Sequence, residues 1–343
     1  MPEQTDAPPT AVQTVTLHDF AFQDGTIFPE LQIHVTTLGR PQRDASGVTR
    51  NAVLIMHGTT GSGSSFLREQ FAGALFGPGQ LLDANRYYII LPDGIGHGQS
   101  SKPSDGLRAA FPEYTYDDMV AAQYRLVTEG LGVNHLRLVM GTSMGGMQSW
   151  IWGYQYPEFM DALLPLASLP VAIAGRNRMI RKMIMDAIRS DPAWDGGNYR
   201  AQPAGLTAAI HGLIWMSSVP LLWQTEVPTP AAADAKLEQL ITNYRNLLDA
   251  NDMWYAFNAS REYNPYPHLS KIRAPLVAIN SADDQVNPPE LGLMEEAIKH
   301  VPNGQSVLLP ISADTRGHGS HSWPHLWQEH LAALLAKTER AVR

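Results

Sequence analysis

Six short apolar runs constrain this chain more than any other feature: "AVLIM" (52–56), "YYIIL" (87–91), "LRLVM" (136–140), "ALLPLA" (162–167), "LVAIN" (276–280) and "SVLLP" (306–310). Each is followed within two residues by Gly, Asp, Ser or Pro. Runs of this length without polar alternation read as strands buried on both faces, the signature of a parallel sheet. Helical patterns at 116–130, 144–156 and 289–300 separate several of them. Strand–helix alternation implies an α/β fold with a doubly wound, mostly parallel sheet. Ahead of it, "QTVTLHDFAF" and "LQIHVTTLG" alternate in period two and read as an antiparallel pair at the sheet edge. Residues 1–12 read as a loose tail.

The alternation stops between about 170 and 265. That interval holds "NRMIRKMIMDAIRS", "GLTAAIHGLIWMSS" and "AKLEQLITNYRNLLDA" and no convincing strand. In the last stretch Leu237, Leu240, Ile241, Tyr244, Leu247 and Leu248 form the stripe of an amphipathic helix. The interval reads as a helical insertion over the carboxyl ends of the strands, where open α/β sheets bind ligands. The expected division is therefore a core first part at 13–169, a helical lid at 170–265 and a core second part at 266–343. The lid is rich in Met and Trp, and Trp215, Met216, Trp223 and Trp254 are the candidates to line an apolar approach to a site.

Composition removes several function classes. The formal net charge of −8 and the lack of a basic tract argue against a nucleic-acid or anionic-membrane partner. No apolar stretch reaches the ~18 residues of a bilayer span. The start, "MPEQTDAPPT", has neither the basic head nor the apolar core of a signal peptide, so a cytoplasmic location is the expectation. With no cysteine, thiolate catalysis, disulfides and Cys-ligated zinc are excluded.

"GTSMG" (141–145) fits G-x-S-x-G between a strand and a helix. In that context the serine sits on a sharp turn with its hydroxyl above the sheet, and Ser143 becomes a nucleophile candidate. The next residue, Met144, offers its backbone N–H to an oxyanion at the helix N-terminus. A serine needs a base, and the base needs an acid to orient it. The order Ser…Asp…His is met. "SADDQVNPP" after the fifth apolar run offers Asp283 and Asp284, and "ISADTRGHGSHSWPH" after the sixth offers His318, His321 and His325. One aspartate suffices, and Asp283 reads as the bystander. "MHGTTGSG" (56–63) reads as the loop supplying a second oxyanion donor, the N–H of Thr59, with His57 structural. His97, in a Gly-His-Gly turn, is assigned no chemistry. The spacing His-x2-His-x3-His has no carboxylate close by, so no metal is expected. "GTTGSGSS" lacks the Lys of a phosphate-binding loop, and no cofactor is expected.

With these residues placed, the chain resembles an α/β-hydrolase, and within that fold the homoserine O-acetyltransferase family and its hydrolase relatives. The likeness covers roughly 15–340 and rests on "GPGQLLDANRYYIILPDGIGHGQSSKPSDG", "YDDMVAAQYRLV" and above all "GTSMGGMQSWIWGYQYP". It implies Ser143 as nucleophile, Asp284 as acid, His318 as base, and Thr59 and Met144 as oxyanion donors. It also implies an α/β-hydrolase fold with an inserted helical lid, and it suggests a homodimer. Two departures bear on substrate. The family's Gly-His-Asp is here Gly317-His318-Gly319, and its lid arginines have no counterpart in "IWMS" (214–217) or "LWQT" (222–225). Fixed charges for a zwitterionic acceptor are thus missing, unless Arg176, Arg178 or Arg261 turns inward. The expectation is a serine ester hydrolase acting on a small ester with an apolar acyl group. An acyltransferase using acyl-coenzyme A is the alternative, and a non-catalytic binding protein of this fold is the third reading.

Overall fold

In the computed structural model, which describes residues 9–339, all six apolar runs form strands. The strands are β1 (Thr10–Ala21), β2 (Ile27–Leu38), β3 (Ala52–Met56), β4 (Tyr88–Pro92), β5 (Leu138–Thr142), β6 (Leu163–Leu166), β7 (Leu276–Ser281) and β8 (Gly304–Leu309). They make one eight-stranded sheet in the order β1-β2-β4-β3-β5-β6-β7-β8. β2 runs antiparallel to both β1 and β4, and every other pair is parallel. The tail is shorter than the sequence suggests. Thr10, Ala11 and Val12 pair with Leu38, Thr37 and Thr36, because β2 runs on to Leu38 and offers them a ladder. Residues 1–8 of the expected tail lie outside the described residues.

The helices are α1 (Glu69–Leu75), α2 (Tyr116–Arg125), α3 (Met144–Gln155), α4 (Gly175–Arg189), α5 (Ala204–Met216), α6 (Pro220–Glu226), α7 (Pro230–Leu247), α8 (Ala250–Asn258), α9 (Leu293–Ala297) and α10 (Gln328–Lys337). Successive strand residues point to opposite faces, so β3 feeds two cores. Ala52, Leu54 and Met56 join one cluster with Met119 of α2 and Trp150 and Ile151 of α3. Val53 and Ile55 join the other with Phe71 and Leu75 of α1 and Leu331 and Leu334 of α10. Burial on both sides is why these strands carry no polar alternation. The helix expected over 289–300 is broken into 3-10 turns around the short α9. Pro288-Pro289 opens that segment, and Gly292 adopts φ 66° at the start of α9.

Between β6 and β7 the chain makes α4 to α8 and no strand. α5 is almost wholly apolar and buries Leu206, Ile210, Leu213 and Met216. α7 buries none of its residues fully. Leu240, Ile241 and Tyr244 pack partly against the core, while Leu247 is 75 % exposed. Among the described residues no single helix is long and apolar enough to cross a membrane.

Candidate active site

Strand β5 ends in Thr142 and α3 starts at Met144, so Ser143 is the single residue of the turn. It adopts φ 54° and ψ −109°. A non-glycine residue there is strained by roughly 1–3 kcal/mol. Two glycines permit the turn. A Cβ on Gly141 would fall against the carbonyl of Gly145, and one on Gly145 against the carbonyl of Met56 on the neighbouring strand. The G-x-S-x-G pattern thus follows from the closeness of α3 to β5 and β3. Ser143 N–H bonds to Leu166 O of β6 at 2.9 Å, which ties the turn to the sheet.

Beyond the ends of β7 and β8, Asp284 and His318 converge on this serine. His318 Nε2 lies 2.8 Å from Ser143 Oγ, and His318 Nδ1 lies 2.8 Å from Asp284 Oδ2. A carboxylate only accepts, so Nδ1 carries the ring proton and Nε2 is left to accept from the serine hydroxyl. Asp284 is fully buried, and its Oδ1 accepts from the N–H groups of Val286 (2.7 Å) and Asn287 (3.2 Å). Burial opposes its ionisation. The adjacent His318 and these two N–H donors outweigh that and hold the carboxyl below its ordinary value. Asp283 instead accepts from Ser281 Oγ. His321 bonds to Ser322 Oγ at 3.0 Å, and burial, with the neighbouring His318, pushes its pKa down to about 3. His325 is exposed.

The loop after β3 brings Thr59 to the same place. Here His57 has a definite task. Its Nε2 accepts from Gly94 N–H at 3.0 Å, so Nδ1 bears the proton and donates to Gly58 O at 2.8 Å. Gly61 N–H donates to that carbonyl as well, at 3.0 Å. The Gly58–Thr59 peptide is trans, so Thr59 N–H points opposite to the carbonyl that His57 holds. Met144 N–H is among the donors that the start of α3 leaves without an intrahelical partner. His97 places its ring nitrogens against Ile95 O (2.9 Å) and Thr59 O (2.8 Å), and burial pushes its pKa down.

A serine–histidine–aspartate relay at the carboxyl edge of a parallel sheet is the arrangement against which known proteins are set. Residues 51–318 match the family model described as the alpha/beta hydrolase fold. The chain belongs to the α/β hydrolase fold family. It is similar to a probable acyltransferase of Methanothermobacter thermautotrophicus, 29% identical over 299 residues that span 85% of this chain and 88% of the relative. Among solved structures, a homoserine O-acetyltransferase from Bacillus anthracis superposes with a TM-score of 0.83 at 21% identity, covering 97% of this chain and 99% of that one. The acetyl esterase MekB superposes at 0.81 with 22% identity, covering 95% of this chain and 97% of that one. At these identities the structures share the fold.

In this α/β hydrolase, Ser143 and His318 open into a chamber of about 420 Å³. A smaller recess of about 50 Å³, lined by Met147, Val171 and Asn177 among others, adjoins the same two residues. Helices α5, α7 and α8 contribute Leu213, Met216, Leu240, Tyr244 and Phe257 to the chamber. Of the four expected lining residues, Met216 alone is among them. Trp215 is 69 % exposed, because its neighbours on α5 take the inward positions. Trp254 is buried against Tyr255 and under Arg189, away from the chamber. Trp223 packs at the margin of the main core. The Trp enrichment therefore belongs to packing and surface.

The arginines differ from expectation as well. Arg176 is exposed, and Arg261 binds the carbonyls of Tyr114 and Glu113. Arg178 does not line the chamber; its Nη1 is buried without a hydrogen-bond partner. The buried arginine that reaches the chamber is Arg181, 3 % exposed, on the otherwise apolar stripe Ile180–Ile184–Met185–Ile188 of α4. A charge on the buried stripe of an amphipathic helix was the available signal for it.

Proposed function

We propose that the chain is a serine ester hydrolase working through an acyl-enzyme on Ser143. The observation that carries this reading is the relay Ser143–His318–Asp284, with both contacts at 2.8 Å, opening into a chamber large enough for a small ester. Ser143 Oγ attacks the ester carbonyl as its proton passes to His318 Nε2. The negative charge forming on the carbonyl oxygen is met by the N–H groups of Met144 and Thr59. Collapse expels the alcohol, which leaves with the proton from His318. Water then takes the alcohol's place. It gives a proton to His318, attacks the acyl carbonyl, and releases the acid as Ser143 recovers its hydrogen. Asp284 holds the ring in the productive tautomer and stabilises the imidazolium throughout.

Water as acceptor is supported by the chamber's chemistry. Gly319 stands where the transferase family carries an aspartate, and among the described residues no acidic one lines the chamber to grip an ammonium group. The second reading, acyl transfer from a thioester to an alcohol, draws on the relative named as a probable acyltransferase. One experiment separates them. The chain is offered p-nitrophenyl acetate, and separately acetyl-coenzyme A with homoserine. Faster formation of O-acetylhomoserine than of acetate would replace the hydrolase reading by the transferase one. Failure of Ser143 to react with a fluorophosphonate would defeat both.

A further inference from the structure

We infer that the ester acted on here carries a carboxylate, and that Arg181 binds it. The inference rests on the proposed ester chemistry for its substrate and on Arg181 for its charge. Arg181 lines both the chamber and the adjoining recess, together with Ser143 and His318. It is 3 % exposed, and a guanidinium does not deprotonate in a protein. A buried charge of this kind is normally paired.

The described residues do not pair it. Arg181 Nε donates to Asn177 Oδ1 at 2.8 Å and Nη1 to Ser260 Oγ at 3.1 Å, and its guanidinium lies 5.5 Å from the ring centre of Phe257. These are two neutral oxygens and an aromatic face. Among the described residues no carboxylate makes an ion pair with it, although the chain holds 33 acidic residues. Neither the chamber nor the recess is lined by Asp or Glu, and the second arginine of the chamber, Arg68, is exposed at its rim. Ser260 Oγ gives its own proton to Phe257 O at 2.7 Å, which leaves it an acceptor for the arginine. The guanidinium is thus pre-oriented by neutral partners, with donors left over beside the nucleophile. A planar anion such as a carboxylate is the ligand such a fork receives. The apolar walls of Leu213, Met216 and Phe257 suit a short hydrocarbon link between that carboxylate and the ester. A carboxylate on the acyl side would depart from the expected apolar acyl group, and one on the alcohol side would leave that expectation standing.

The test uses matched twins. The p-nitrophenyl hemiester of glutaric acid is compared with p-nitrophenyl pentanoate, after subtraction of uncatalysed hydrolysis. The acetate ester of 4-hydroxybutyrate is compared with butyl acetate. The first pair places the carboxylate on the acyl side, the second on the alcohol side. The expected result is a kcat/KM at least about tenfold higher for the charged member of one pair. Arg181→Gln should erase that ratio, and Arg181→Lys should retain part of it. Wild-type enzyme that treats both pairs alike, or an Arg181→Gln variant that keeps the ratio, would overturn the inference. Should the variants fold poorly, wild type still decides: glutarate should slow fluorophosphonate labelling of Ser143, and glutaramide should not. Glutarate without effect overturns the carboxylate site while leaving the hydrolase reading intact. A chain that never labels, yet gains thermal stability with glutarate and loses that gain in Arg181→Gln, has the anion site without the ester chemistry.

Discussion

Ser143 is held at φ 54°, where a side chain is strained and glycine is not. Replacing it therefore has two separable effects. Ser143→Ala should lose on the order of 10³-fold or more in ester turnover, since the relay acts as a unit. Ser143→Gly should be as inactive but more stable than Ser143→Ala, by roughly 1 kcal/mol. Urea unfolding of the two variants checks this, and equal midpoints would remove strain from the account of the turn. The serine, aspartate and histidine were legible in the sequence because each follows an apolar run closely and in the right order. Arg181 was not, because its meaning lies in what surrounds it. Periodicity places it on the buried stripe of α4, but only the folded neighbours Asn177, Ser260 and Phe257 show that no acid answers it. The tryptophans failed for the converse reason. Composition marks a region as apolar without saying which face of each helix looks inward, and Trp215 looks outward.

At the scale of elements, the loop after β3 depends on His57. Burial, and secondarily the nearby His97, push the His57 pKa from 6.5 down to about 4. Its neutral ring holds the Gly58 carbonyl and so aims Thr59 N–H. His57→Leu should cost on the order of 10²-fold in kcat with a smaller change in KM, the pattern for a donor felt mainly in the transition state. An equal rise in KM with kcat preserved would assign the residue to substrate binding instead. The same group bears on acid stability. Between pH 6.5 and about 4 the unfolded chain takes up a proton at residue 57 that the folded chain refuses. Stability therefore falls as pH falls through that window, by up to about 1.4 kcal/mol per pH unit for this one group. In His57→Leu that part of the slope should vanish, which urea midpoints at pH 7, 6 and 5 would reveal. The strands were readable as elements. The broken segment over 289–300 was not, because a helical pattern of apolar residues continues through prolines and a glycine that the backbone cannot follow.

Across the whole molecule, the apolar packing of α10 on the sheet is supplemented by one polar side chain. Arg137, 9 % exposed, precedes β5 and donates to Leu335 O and Thr338 Oγ1 at the end of α10, both at 2.7 Å. A cation at a helix C-terminus meets carbonyls that have no partner in the helix. Arg137→Met should lower stability by about 2–3 kcal/mol with kcat unchanged, as the contact is remote from Ser143. Denaturant unfolding and ester turnover on the same preparation would show it, and lost turnover at full stability would contradict it. The sheet also has a consequence in time. Its parallel strands gather their carboxyl ends on one edge, so the parts of the relay are neighbours in space while lying far apart along the chain. Thr59 is made first, Ser143 after it, and His318 175 residues after Ser143. A ribosome must have passed residue 318 before the serine has a base, so a growing chain stays chemically silent until that point, long after the serine itself has been made.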